Sequence, residues 1–177
     1  PTFINLSSAS NINFENLNFK FTRGKIFNAS NVSNIHINGC EIGHTSSNAI
    51  NLTGTDSSIE NCHIYDLGGA AATGAITLSG GNRSTLTPSG NVIKNNRIHF
   101  GDRVYSVSQA SLIKVMGVGH VIENNKIYDG TAYVVQIISS NDIQFNYNEV
   151  YRAVQRSSDA GAVTWGRDIS LLGFELK

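Results

Sequence analysis

Seven segments of this chain superimpose on one another without gaps, and no other feature constrains the fold as much, because each copy of such a repeat must form one unit that stacks on the next. They are Asn13 to Phe19, His36 to Ile42, Ser58 to Ile64, Val92 to Ile98, Val121 to Ile127, Gln144 to Val150 and, more degenerate, Ser170 to Leu176. Their shared order is apolar, polar, Asn or Gly, small or Asn, polar, apolar. Successive copies begin 22 to 34 residues apart, the range of one turn of a stacked array. The longest spacings imply insertions, the largest at Ser79 to Ser89 and a second at Phe100 to Gln109.

Each slot has a physical reason. Both apolar residues can point inward only if the chain bends sharply between them at positive φ. Asn and Gly reach that region at least cost. Asn16, Gly39, Asn61, Asn95, Asn124 and Gly173 fill the slot, and Tyr147 is expected to be strained or shifted there. The next slot holds Leu17, Cys40, Cys62, Asn96, Asn125, Asn148 and Phe174. Equivalent residues of stacked strands lie roughly 4.8 Å apart, so this slot predicts an internal column whose three successive Asn amides bond along the stack.

A second apolar stripe follows each bend. Alternation points Ile50 and Leu52, Ile76 and Leu78, Ile113 and Val115, Val135 and Ile137, and Val163 and Trp165 inward. It leaves Asn51, Thr77, Lys114, Gln136 and Thr164 as an outward column. The prediction is an all-β, single-stranded right-handed parallel β-helix (a solenoid) of about seven coils, forming one domain over residues 1–177. A strand running to Lys177 with no cap predicts incomplete ends and a piece of a longer chain, packed against further coils of its parent or against other subunits.

With 13 Lys and Arg against 13 Asp and Glu, the formal net charge is zero, which argues against nucleic acid as a partner. No apolar run is long enough to span a bilayer. The turns Ile93 to His99 and Ile122 to Tyr128 resemble the generic repeats of the pectate-lyase-like β-helix superfamily. Ser158 to Asp168 is similar to a segment of secreted β-helix glycoside hydrolases of the fucosidase and xylanase type. The resemblance covers nearly the whole chain. It implies an extracellular protein that binds a polysaccharide or glycan and cleaves it as a glycoside hydrolase or lyase. The alternative is a non-catalytic structural or adhesive module of a larger extracellular assembly, because a fold alone does not assign chemistry.

Two groups of residues could carry chemistry. Tyr65, His99, Tyr128 and Tyr151 fall in one column with Asp66, Asp102, Asp129 and Arg152 close behind, and aromatics beside carboxylates suit sugar rings. The same pattern arises when Tyr covers strand edges and Asp starts turns. Asp159 and Asp168 are the candidate acid and base of glycoside cleavage. Arg167 is the candidate partner of a substrate carboxylate, with Arg156 and Trp165 nearby; a structural ion pair and turn is the competing reading. Lys114, outward beside Gln136, is the base that a β-elimination would need. No dense acidic cluster accompanies it, so calcium lacks ligands, no other cofactor is indicated, and the five His show no metal-ligand spacing.

Cys40 and Cys62 occupy equivalent slots of neighbouring repeats, close enough for a disulfide and equally consistent with two stacked thiols. Sequons at Asn5, Asn28, Asn31, Asn51 and Asn82 fit a secreted glycoprotein, although a chain this rich in Asn, Ser and Thr contains several by chance.

Overall fold

The computed structural model describes residues 2–68, 74–101, 111–158, 160–166 and 173–177, with Phe174 described by its backbone alone. The described residues form nineteen strands. In chain order the first nine are β1 (Ile4–Ser7), β2 (Ser10–Glu15), β3 (Asn18–Thr22), β4 (Phe27–Asn38), β5 (Glu41–Thr45), β6 (Ile50–Thr55), β7 (Ser58–Glu60), β8 (His63–Leu67) and β9 (Ile76–Gly80). Then come β10 (Val92–Lys94), β11 (Arg97–Gly101), β12 (Ser111–Val118), β13 (Val121–Glu123) and β14 (Lys126–Tyr128). The last are β15 (Tyr133–Asn141), β16 (Ile143–Asn146), β17 (Glu149–Tyr151), β18 (Val163–Trp165) and β19 (Phe174–Leu176).

The pairing corrects the predicted architecture. All strand pairs are parallel, but the strands build one large curled sheet of thirteen and a second sheet of six, not a clear single-stranded right-handed β-helix. The cause is visible in β4. It is one twelve-residue strand whose first half pairs β1 and β6 and whose second half pairs β2 and β7. Asn31 and Asn34, at φ 53° and 54°, bend it without ending it. Both stripes of each repeat therefore join a single sheet that curls. The smaller sheet has the order β17-β14-β11-β8-β5-β3.

Six of the seven repeats lie in the expected register. Ile37, Ile59, Ile93, Ile122 and Phe145 are successive cross-strand partners in the large sheet. Ile42, Ile64, Ile98 and Ile127 are partners in the small one. All of these side chains are buried in one core with Ile50, Leu52, Ile76, Leu78, Ile113, Val115, Val135 and Ile137. Fully burying each contributes about 1.5–3 kcal/mol. The seventh repeat is displaced by five residues: Leu176, not Leu171, faces Phe145. Gly173 consequently sits beside Asp142 rather than in the Asn16 slot.

The six remaining bend residues, Tyr147 included, all have φ between 54° and 63°. Tyr147 keeps the bend by turning its ring to solvent. The amide column also forms. Asn96 Nδ2 donates to Asn125 Oδ1 (3.0 Å) and Asn125 Nδ2 to Asn148 Oδ1 (2.9 Å). Leu17 was expected in that column but is 45% exposed, because β3 is the last strand of its sheet. Trp165 likewise points outward, at 54% exposure, on the terminal strand β18.

Cys40 and Cys62 are both buried and carry free thiols. Cys62 donates to the Glu60 carbonyl at 3.1 Å, and burial pushes its thiol up to about 12. The sequon amides Asn28 and Asn51 are engaged in a surface ladder, Asn28 Nδ2 to Asn5 Oδ1 (2.8 Å) and Asn51 Nδ2 to Asn28 Oδ1 (3.1 Å). Asn31 Nδ2 bonds Ser8 Oγ at 3.1 Å, and the exposed Asn82 accepts the Ser84 N–H at 2.9 Å.

His120 is fully buried between the Met116 carbonyl, 2.8 Å from Nε2, and the Ser89 hydroxyl, 3.0 Å from Nδ1. Nε2–H donates to the carbonyl and the hydroxyl donates to Nδ1, so the ring is neutral. Burial brings its pKa down to about 4. The unfolded imidazole titrates near 6.5. The unfolded chain therefore takes up protons first, and stability falls as pH drops from about 6.5 to about 4, by up to about 3 kcal/mol for this one group. Urea unfolding at intervals between pH 7.5 and 5 should show a falling midpoint, with a shallower fall in His120→Gln. A midpoint independent of pH across that window contradicts the assignment.

Candidate functional site

The small sheet carries two outward columns side by side. Lys20, Gly43, Tyr65, His99, Tyr128 and Tyr151 are cross-strand partners in sequence. The residues that follow them are Phe21, His44, Asp66, Phe100, Asp129 and Arg152, and all six have φ between 46° and 63°. That backbone conformation breaks the in–out alternation, so two consecutive side chains face out before Thr22, Thr45 and Leu67 turn back into the core. Asp tolerates positive φ. Phe and Arg do so rarely, and such outliers cluster at functional surfaces.

The first column is a stack of rings. His99 lies on Tyr128 at 4.6 Å and 4°, Tyr128 on Tyr151 at 4.7 Å and 7°, and Tyr65 on His99 at 5.8 Å and 14°. These spacings follow the strand spacing, so His99 and Tyr128, inside the stack, have both ring faces covered by their neighbours. His99 and Tyr128 are buried. The sequence placed this column on the surface as sugar-stacking rings; the structure makes its middle part of the scaffold.

His99 Nε2 lies 2.9 Å from His63 Nε2, and His99 Nδ1 is buried with no partner among the described residues. An unmet acceptor costs less than an unmet donor, so the proton sits on His99 Nε2 and is donated to His63. Burial, His63 and Arg97 together lower His99 to about 4.

The second column opens a cleft of about 620 Å³, within the usual range for a ligand site. His44, Tyr65, Asp66, Phe100 and Asp129 line it from the sheet, and Thr131, Gln155 and Arg156 close it. Backbone bonds from Gln155 N to Gly130 O (3.1 Å) and from Arg156 N to Thr131 O (2.9 Å) fix that far wall. Phe100 is 48% exposed, lines the cleft and lies at 62° to the His99 ring. Asp66 contacts His44 Nδ1 closely. Arg152 grips Asp129 with two bonds, Nε to Oδ1 at 2.5 Å and a terminal nitrogen to Oδ2 at 2.8 Å. That bonding holds the Asp129 carboxyl below its usual range. Thr131 Oγ1 is buried and has no hydrogen-bond partner among the described residues.

Of the residues expected from sequence, the cleft thus gathers Tyr65, Asp66, Asp129 and Arg156. Tyr151 ends the ring stack under the Arg152 guanidinium, 5.1 Å from its ring centre. Lys114 and Gln136 are partners in the large sheet and do not line the cleft; Trp165 is on that sheet too. Asp102, Asp159, Arg167 and Asp168 lie outside the described residues. Sequence reasoning assigned no site role to Phe100, His44, Thr131 or Gln155. The signal for Phe100 was its register, one residue after His99 as Asp66 is after Tyr65.

Among the described residues no group of three or more His, Cys, Asp or Glu side chains is placed to hold a metal ion. No described helix is long and apolar enough to cross a membrane. The chain matches no family model, no curated protein and no solved structure.

Proposed function

We propose that the cleft of the small sheet binds a glycan. One observation carries this reading: the half-exposed ring of Phe100 lies between Asp66 and Asp129 in a single column that lines the cleft. A sugar ring needs that pairing, an aromatic plane for its C–H face and carboxylates for its hydroxyls. The resemblance of Ser158 to Asp168 to secreted glycoside hydrolases points the same way and suggests an extracellular setting. Asp129, kept ionised by Arg152, could act as a base but not as an acid. The described cleft therefore supports binding more directly than cleavage. A second reading, a structural or adhesive module, draws on the uncharged ladder of Asn5, Asn28 and Asn51.

Affinity measurements against a panel of neutral and acidic polysaccharides test the proposal, with reducing ends followed in parallel for cleavage. Phe100→Ala should weaken binding by about tenfold or more, roughly 1.4 kcal/mol. Its unfolding midpoint should stay nearly unchanged, since the removed ring is half exposed. No binding by the native protein, or equal binding by the variant, would sink it.

A further inference from the structure

The insertion after β9 is a short hairpin loop that carries one of the five sequons, Asn82-Arg83-Ser84. Asn82 and Thr87 close its base with two backbone bonds, Asn82 N–H to Thr87 O (2.9 Å) and Thr87 N–H to Asn82 O (3.0 Å). The middle residue of the sequon ties the loop down, because Arg83 Nε donates to Oδ1 of the buried Asn141 at 2.9 Å. With Arg83 held inward, Asn82 and Ser84 on either side of it are both exposed.

The Asn82 side chain is itself set. Its Oδ1 accepts the Ser84 N–H at 2.9 Å, which makes an Asx turn. The carbonyl end is thus turned onto the loop, and Nδ2 has no partner among the described residues. The sequons on the strands differ. Asn28 Nδ2 is spent on Asn5, Asn51 Nδ2 on Asn28, and Asn31 Nδ2 on Ser8. Asn5 lies in β1, where its Oδ1 is taken by Asn28 rather than by the N–H of its own sequon.

Attachment of an N-linked glycan needs an Asn amide nitrogen and a Ser or Thr hydroxyl two residues on, presented together on a surface loop. Of the five sequons only Asn82 meets that demand. We propose, on the basis of the extracellular setting suggested above, that Asn82 carries an N-linked glycan and that the strand sequons do not. In the transfer Nδ2 bonds to C1 of a sugar held on a lipid diphosphate. The C1–O bond breaks with its electron pair on the diphosphate, and Nδ2 gives up one proton. The turn closes over residues 82–87 alone, so it can form before the sheets do. None of the residues lining the small-sheet cleft comes from this loop, so the glycan leaves that cleft open.

The test is to secrete the chain, behind a signal peptide, from a eukaryotic cell that attaches N-linked glycans. Enzymatic release of the glycans in heavy-oxygen water turns each occupied Asn into a labelled Asp. Peptide mass spectrometry should find the label on Asn82 in most secreted molecules and on none of Asn5, Asn28, Asn31 and Asn51. Ser84→Ala keeps Asn82 but removes the hydroxyl that the transfer needs. It should abolish the label and the accompanying gel shift with the urea midpoint unchanged, since Ser84 is exposed. An unlabelled Asn82 in the secreted protein overturns the proposal, and so does a label on any strand sequon there. If the chain is retained in the cell, the retained chain is digested in the same way, and an unlabelled Asn82 overturns the proposal equally. Loss of the Asn82 site leaves the glycan reading of the cleft standing, and a cleft that binds no polysaccharide leaves the Asn82 label standing.

Discussion

Asn125→Ala should cost the fold about 4 kcal/mol, several times the cost of removing an asparagine from the surface ladder. Asn125 Oδ1 accepts from the Asn96 backbone N–H (2.9 Å) and from Asn96 Nδ2 (3.0 Å). Its Nδ2 donates to the Ile93 carbonyl (3.0 Å) and to Asn148 Oδ1 (2.9 Å). Alanine removes all four bonds and leaves their partners in the interior, where each unmet group costs about 1–3 kcal/mol before relaxation or water entry recovers part of it. Asn125→Asp is no rescue, because its carboxylate would face the Ile93 carbonyl and the Asn148 amide oxygen with no proton to offer. Asn28→Ala removes chemically similar bonds to Asn5 and Asn51 at the surface. Water replaces those, so the loss should stay within about 1 kcal/mol. Urea denaturation of the three proteins decides the matter. Equal midpoints for Asn28→Ala and Asn125→Ala would show that the internal column contributes no more than its surface counterpart.

That column is also where the sequence was most informative. Three Asn at the same offset from a bend can be explained only if the bends lie over one another, and they do. What the repeat could not reveal was how far a strand runs through its neighbours. Positive φ at Asn31 and Asn34 lets β4 continue and fuse two stripes into one curled sheet. The seventh repeat failed for a simpler reason. Leu171 and Leu176 both satisfy an apolar slot, and no asparagine pair distinguishes them, so a five-residue shift left the pattern intact.

The site divides along the same line. Register alone brings Tyr65, His99, Tyr128 and Tyr151 together, but register does not say whether rings show faces or edges, which depends on side-chain torsion. The stacking turned most of these rings into scaffold and left Phe100, one residue further on, half exposed in the cleft. Thr131 and Gln155 reach the cleft from segments without any repeated pattern, so no periodicity could have found them.

The curl of the large sheet makes its strongest demand at three glycines. Gly54, Gly80 and Gly117 lie one above another where the strands bend and where the register shifts between Ser30 and Val32 and between Val115 and Gly117. A Cβ on Gly54 would sit 1.9 Å from the Val32 carbonyl oxygen, on Gly80 2.0 Å from that of Gly54, and on Gly117 1.9 Å from that of Gly80. These are backbone atoms held in a parallel ladder, so none can move without breaking strand pairing. Gly117 also has φ +110°, which L side chains rarely adopt. Gly117→Ala should lose at least about 4 kcal/mol or fail to fold, the extreme end of single substitutions. Gly166→Ala separates the two causes: Gly166 has φ +127° but nothing within 4 Å of its would-be Cβ. It should lose only the conformational cost of about 1–2 kcal/mol. Soluble yield and urea midpoints read both, and a Gly117→Ala protein as stable as Gly166→Ala would mean that the strands at this bend are not held as closely as the curl requires.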